Sequence, residues 1–344
     1  MEFIKKIQGI DIESKNNFQN YFDSLMKPKL SLGKLETIGS QIAGIKNNIN
    51  FELKRKKHFV FASDNGVQIE NISSCPKEYT RIVSESMLSG SGAISILCKI
   101  HNVDFYLIDV GIDGDILRNY HNLIIKKFEK NTKNIKNERA FSIENAKNSI
   151  NSAFEIVKSI KDSTDIVSCG EMGIGNTTTS GAIIHKILGS NLDILIGRGA
   201  GLEDTALENK KEIVKKACNR FKSSEPLEIL SQLGGYDIAF MTGFYLACAF
   251  FKIPVILDGY ISIASALLAY KFNPLVKDYF IPSHLSDESG MKLVLEYLNL
   301  EPMLFMDMRL GEGTGAILAY PILDSIIPIY KNMKTKDEIY KKLK

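Results

Sequence analysis

Ile166-Val167-Ser168-Cys169-Gly170-Glu171-Met172-Gly173-Ile174-Gly175-Asn176-Thr177-Thr178-Thr179 is the stretch that decides the fold. Its first four residues form a short, mostly apolar run, the pattern of a strand buried on both faces. Glycines then break the run, and Asn176 with the threonines opens a helix. Backbone N–H groups at the start of such a helix have no partner inside it, so they attract anions, and hydroxyls add donors. Phosphate binding at this turn and plain capping by Asn176 or Thr177 are compatible readings. It is not a Walker loop, because no Gly-Lys-Ser/Thr follows.

On either side, short apolar runs alternate with longer helical patterns. The runs are Phe59-Val60-Phe61-Ala62, Phe105-Tyr106-Leu107-Ile108, Ile194-Leu195-Ile196, Val255-Ile256-Leu257 and Tyr279-Phe280-Ile281. This alternation predicts an α/β fold: a doubly wound, mainly parallel sheet with helices on both faces. The runs end in polar or glycine turns: Ser63-Asp64-Asn65-Gly66, Asp109-Val110-Gly111, Gly197-Arg198-Gly199, Asp258-Gly259 and Pro282-Ser283-His284. All lie at the carboxyl ends of the proposed strands, the edge where open α/β sheets bind ligands. Residues 1 to about 50 read as amphipathic helix, and the Lys- and Asn-rich segment 130–150 reads as surface. The longest apolar stretch, Ile238 to Leu257, holds Thr242, Gly243, Lys252 and Pro254. It therefore reads as a buried helix ending near Phe251 and then a strand, not as a membrane span.

Near the C-terminus, Arg309-Leu310-Gly311-Glu312-Gly313-Thr314-Gly315 sets one carboxylate among three glycines. Glycine lets backbone approach a ligand closely, so Glu312 can be aimed at one proton as a general base. The other reading is a first-turn acid complementing the dipole of the helix that follows. Gly197-Arg198-Gly199-Ala200-Gly201 forms a second strand-to-helix glycine loop, and Lys210 lies about two turns into the next helix. Lys210 points either back to a phosphate or out to solvent. Ser73 and its neighbours either line a pocket or cap a loop. His284 is the one histidine at a predicted strand end; His58, His101, His121 and His185 read as structural or exposed.

The 344 residues are 44% hydrophobic and 24% charged, ordinary for a globular protein. A net charge of +3 with scattered basic clusters reads as solvated surface, not as nucleic-acid binding. Five cysteines show no CxxC or Cys/His metal spacing, which points to free thiols in a reducing cytoplasm. The start, Met1-Glu2-Phe3-Ile4-Lys5-Lys6, lacks the apolar core of a signal peptide.

Several motifs occur in a fixed order. Ser63 to Val67 is followed by Pro76-Lys77-Glu78-Tyr79-Thr80, then Gly170 to Thr178, Gly197 to Leu202 and Leu233-Gly234-Gly235-Tyr236-Asp237-Ile238-Ala239. Leu257-Asp258-Gly259-Tyr260 and Arg309 to Gly315 complete the set. From about residue 30 to 330 the chain thus resembles the nicotinate-nucleotide–dimethylbenzimidazole phosphoribosyltransferase family of cobalamin lower-ligand assembly. The resemblance implies a large Rossmann-like domain over 51–300, carrying the active site, and a small helical domain from residues 1–50 with about 300–344. It implies a homodimer with no cofactor and no metal, no nucleic acid and no membrane. It implies phosphoribosyl transfer from nicotinate mononucleotide to 5,6-dimethylbenzimidazole, with inversion at C1′. On the matching positions, Glu312 corresponds to the catalytic base, and Ser73, Glu171, Met172 and Leu310 to the acceptor pocket. Gly173, Asn176, Thr177, Gly197, Arg198, Gly199, Gly201, Lys210, Asp258, Gly311 and Gly313 correspond to the donor's phosphate and ribose site.

The chain departs from the pattern near the acceptor. Arg81, Ile82 and Val83 follow Thr80 where a glutamine is expected, and Cys75 replaces an aromatic residue. That leaves another benzimidazole, adenine or a phenol open as acceptor, and a non-catalytic nucleotide-binding subunit as the alternative role. A dehydrogenase lacks support, because no Gly-x-Gly-x-x-Gly is followed by a ribose-binding acid.

Overall fold

Alternation along one strand organises the molecule. In β1 (Lys56–Ser63), Phe59 and Phe61 join one hydrophobic core while Val60 and Ala62 join another. Side chains two apart share a face of a strand, so the sheet separates two cores. The computed structural model describes residues 1–197 and 202–343. Five further strands extend the sheet: β2 (Asp104–Gly111), β3 (Leu123–Ile125), β4 (Ile166–Met172), β5 (Val255–Leu257) and β6 (Phe280–Pro282). All neighbours pair in parallel, in the order β3-β2-β1-β4-β5-β6. The chain runs outward from β1 to β3 and then returns to the other side of β1, so the topological switch point lies between β1 and β4.

The first core packs Phe59, Phe61, Val167, Val255 and Phe280 against helices that include Ile143–Ile160 and Tyr236–Phe250. The Tyr236–Phe250 helix is buried on every side but for its last residue, which is why its sequence shows no polar face. No helix among the described residues is long and apolar enough to cross a membrane. The second core is covered by helices from both chain ends. Phe18 and Phe22 (helix Ile12–Ser24), Ile42 (helix Lys34–Lys46), Ile317 and Tyr320 (helix Thr314–Asp324) and Tyr330 (helix Ile326–Asn332) pack with Val60, Ile256 and Ile281. A second, two-stranded parallel sheet joins β7 (His284–Leu285) to β8 (Leu304–Phe305).

Two expectations change, and one strand, β3, is an addition. Ile194-Leu195-Ile196 is not a strand; Leu192–Leu195 is a short helix whose start is capped by Asn191, the side chain of which accepts from the Asp193 N–H. β4 already pairs with β1 and β5, and β5 with β6, so no slot beside them remains for a strand there. β3 carries too short an apolar run to stand out in the sequence. Segment 130–150 is not all surface: Ile135, Ala140 and Phe141 are buried in the first core, with Ala146 and Ile150 on the helix that follows.

Candidate active site

The turns after β4 and β5 form the base of a cavity of about 870 Å3. Its walls come from Gly170–Asn176, Asp258–Ser262, Ser286–Ser289 and Arg309–Glu312, with Ser73 on a neighbouring loop. The carboxyl ends of parallel strands converge here, with no side chain of the next strand to fill the space.

Glu312 stands on an unusual turn. Gly311, Glu312 and Gly313 have φ of +84°, +63° and +92°. Glycine accepts this region without a clash, but a glutamate there costs about 1–3 kcal/mol and must be held by its surroundings. The ring of His58 lies 2.9 Å from the Glu312 carbonyl oxygen through Nε2. Asp258 accepts from the Gly313 N–H through Oδ2 and from the Ala316 N–H through Oδ1, both at 3.1 Å. Gly170 supplies the third restraint, since a Cβ there would lie 2.2 Å from the Glu312 carbonyl carbon. Asp258 is thus the carboxylate serving the start of helix Thr314–Asp324, which has no acid in its own first turn. Glu312 itself lines the cavity.

Glu312 is 9% exposed, and its Oε2 has no hydrogen-bond partner among the described residues. Burial pushes this carboxyl up to about 7; the Ile94 backbone N–H opposes the rise and the Asp258 charge adds to it. Burial also drives Glu171 up to about 8, reinforced by Asp237 and opposed by Asn176. Asp237 rises to about 6, again by burial, against hydrogen bonds from Asn176, the Ile238 N–H and Asn65. Burial raises Asp258 as well, while His284 lowers it; His284 Nδ1 stands 4.0 Å from Asp258 Oδ1.

A buried cation borders the same cavity. Lys210, on helix Asp204–Asn219, is 1% exposed, and its Nζ donates to Thr177 Oγ1 at 3.0 Å and to the Gly197 carbonyl at 3.3 Å. Burial brings it down to about 8, opposed by the Glu288 charge. Thr177 lies in the first turn of helix Asn176–Leu188. A lysine beside a helix N-terminus combines two features that attract anions.

The structure brings Ser73, Glu171, Met172, Gly173, Asn176, Thr177, Gly197, Asp258, Leu310, Gly311 and Glu312 to one cavity. Leu310 is 58% exposed. Lys210 and Gly313 stand just behind the lining. Arg198, Gly199 and Gly201 lie outside the described residues. The segment before them, Leu192–Leu195, is helical and not the strand that the sequence suggests. Sequence reasoning missed Asp237 and Glu288 and read His58 only as structural or exposed. The glycine pair before Tyr236-Asp237 was a usable signal for the first. His58 sits inside a strand, where nothing local marks it.

A phosphoribosyltransferase family model matches residues 7–339. The chain is 41% identical to the nicotinate-nucleotide–dimethylbenzimidazole phosphoribosyltransferase of Clostridium acetobutylicum, over 99% of this chain and 98% of that protein. It is 40% identical to the protein of the same name from Ruminiclostridium cellulolyticum, over 99% of each. Among solved structures, CobT from Thermus thermophilus matches with a TM-score of 0.91 at 33% identity, covering 95% of this chain and 98% of that one.

Proposed function

The chain belongs to the nicotinate-nucleotide–dimethylbenzimidazole phosphoribosyltransferase family, and we propose that Glu312 is the general base of its phosphoribosyl transfer. The reaction moves the phosphoribosyl group of nicotinate mononucleotide to 5,6-dimethylbenzimidazole and yields α-ribazole 5′-phosphate and nicotinate. One ring nitrogen of the acceptor forms a bond to C1′. The C1′–N bond to the pyridinium breaks, and its electron pair returns to the pyridine nitrogen, cancelling the ring's positive charge. The acceptor's N–H proton goes to Glu312. Attack from the face opposite the leaving group inverts C1′ from β to α.

The observation that carries the reading is the unpartnered Oε2 of Glu312, buried on a residue that lines the cavity. A buried carboxylate oxygen with no donor is costly unless a ligand supplies one. A carboxyl pushed up to about 7 also suits proton abstraction near neutral pH.

In this proposal Lys210, Thr177, Asn176, Gly173 and Gly197 receive the donor's phosphate and ribose, with Arg198, Gly199 and Gly201. Ser73, Glu171, Met172 and Leu310 flank the acceptor. Asp258, Gly311 and Gly313 shape the turn that presents the base. The homodimer, the cytoplasmic location and the small domain formed by residues 1–50 with about 300–344 belong to the same proposal.

The test is an incubation of the purified protein with nicotinate mononucleotide and either 5,6-dimethylbenzimidazole or adenine, read by nicotinate release and the anomeric configuration of the product. An α-linked dimethylbenzimidazole product is expected. Product with adenine alone would reassign the acceptor, and a β-linked product would overturn the inversion.

A further inference from the structure

Glu171 and Asp237 share one amide. Nδ2 of Asn176 donates to Oε2 of Glu171 and, at 3.1 Å, to Oδ2 of Asp237. Glu171 is 8% exposed and Asp237 fully buried. Two buried carboxylates bridged by a neutral amide repel one another with little water to screen them, so the pair holds a proton.

Among the described residues, the surrounding charges give no relief. The titratable groups that face Glu171 are Asp237 at the start of helix Tyr236–Phe250, Asp258 at the end of β5, and Glu312 on the loop before helix Thr314–Asp324. Each can only add negative charge. Among the described residues, the cations that border the cavity are engaged elsewhere: Lys210 with Thr177 and Gly197, Arg309 with Asp287 at 3.5 Å.

The hydrogen bonds decide which carboxyl carries the proton. Asp237 accepts from the Ile238 N–H at 2.9 Å as well as from Asn176, and Asn65 is a further donor to it. Donors of this kind favour the ionised form. For Glu171 the hydrogen bond is from Asn176, to Oε2. Its Oε1 faces Gly311, where a Cβ would lie 2.6 Å away, on the turn that presents Glu312.

We propose that Asp237 is a positioning residue: through Asn176 it holds Glu171 as a neutral carboxylic acid, its O–H offered to the cavity, and leaves Glu312 as the carboxyl that ionises to take the proton. Glu171 is then a hydrogen-bond donor in the pocket and not a second base. This rests on the reading of Glu312 as the base, but the proton on Glu171 is measurable without turnover.

The experiment is an infrared difference titration of the full-length protein between pH 5 and 9, comparing wild type with Glu171→Gln, Glu312→Gln and Asp237→Asn. The carbonyl stretch of protonated carboxyls is expected to lose the component that titrates near 8 in Glu171→Gln, and to keep it in Glu312→Gln while losing the component that titrates near 7. In Asp237→Asn the midpoint of the Glu171 component moves to lower pH, because a neighbouring negative charge is gone. Should that variant fail to fold, Asp237→Ser removes the same charge. Loss of an ionised carboxylate band in Glu171→Gln, or an unmoved midpoint in both Asp237 variants, would overturn the inference. An inactive wild type whose spectra behave as expected would instead overturn the reaction proposed above.

Discussion

His58 donates the N–H of its Nε2 to the backbone carbonyl of Glu312 at 2.9 Å. A carbonyl can only accept, so this contact fixes the tautomer. Nδ1 then accepts from Ser168 Oγ at 2.7 Å, and Tyr320 donates to that same Oγ at 3.1 Å. Burial pushes the imidazole down to about 4, which keeps it neutral at working pH. The ring also presses against the turn: a Cβ on Gly313 would sit 2.0 Å from its Cε1. A buried strand residue thus holds the backbone of a glutamate at positive φ.

Replacing that ring by a smaller side chain should loosen the turn. His58→Ala is expected to lose about 2–4 kcal/mol of stability, the scale for emptying a buried site and orphaning its partners. Its kcat should fall more than its donor KM rises. His58→Gln, which keeps an N–H donor, should recover part of kcat. Denaturant unfolding and steady-state kinetics check this; equal loss of kcat in both variants would detach the ring from the turn.

Glu312→Gln should lower kcat roughly a hundredfold or more, the scale of a general base, with donor binding retained. In the wild type, kcat/KM should rise with pH through about 7, because the raised carboxyl must lose its proton before it can accept one. The variant should lack that limb. Near-normal turnover, or an unchanged limb, would remove Glu312 as the base.

Lys210→Ala should weaken donor binding and leave kcat less affected, measured by calorimetric titration with nicotinate mononucleotide. The lysine loses its charge at about 8, so wild-type donor affinity should fall as pH rises through that value. An affinity that Lys210→Ala leaves untouched would assign the lysine a purely structural role.

Glu171 links the site to stability. Its folded-state pKa is raised to about 8 from the ordinary carboxyl value of 4.5, chiefly by burial. The folded protein therefore binds this proton more tightly than the unfolded chain. The associated stability is fully present below about pH 4.5 and is lost as pH rises through about 8. Wild type should lose stability relative to Glu171→Gln across that window. Denaturation midpoints of the pair between pH 4 and 9 test it, and a pH-independent difference would contradict the raised value.

Much of the architecture was legible in local pattern. The runs around Phe59, Tyr106, Val167, Ile256 and Phe280 read as buried strands because a parallel sheet covered on both faces needs unbroken apolar residues. Their glycine turns pointed to one edge, and the cavity lies there. At Ile194-Leu195-Ile196 local pattern stops short: three apolar residues suit a strand or a helix turn, and only the occupied neighbours of β4 and β5 decide between them.

By itself, the sequence determined the fold class, the sheet edge where the cavity lies, and several residues of its lining, because these depend on periodicity and on turn chemistry within a few positions. The tertiary structure alone decided what those residues experience. It made Asp258 the cap of a helix that starts far along the chain, at Thr314, brought Asp237 to Glu171 through Asn176, and seated His58 under Glu312. Burial and charge act through space, across chain separations that no local pattern records.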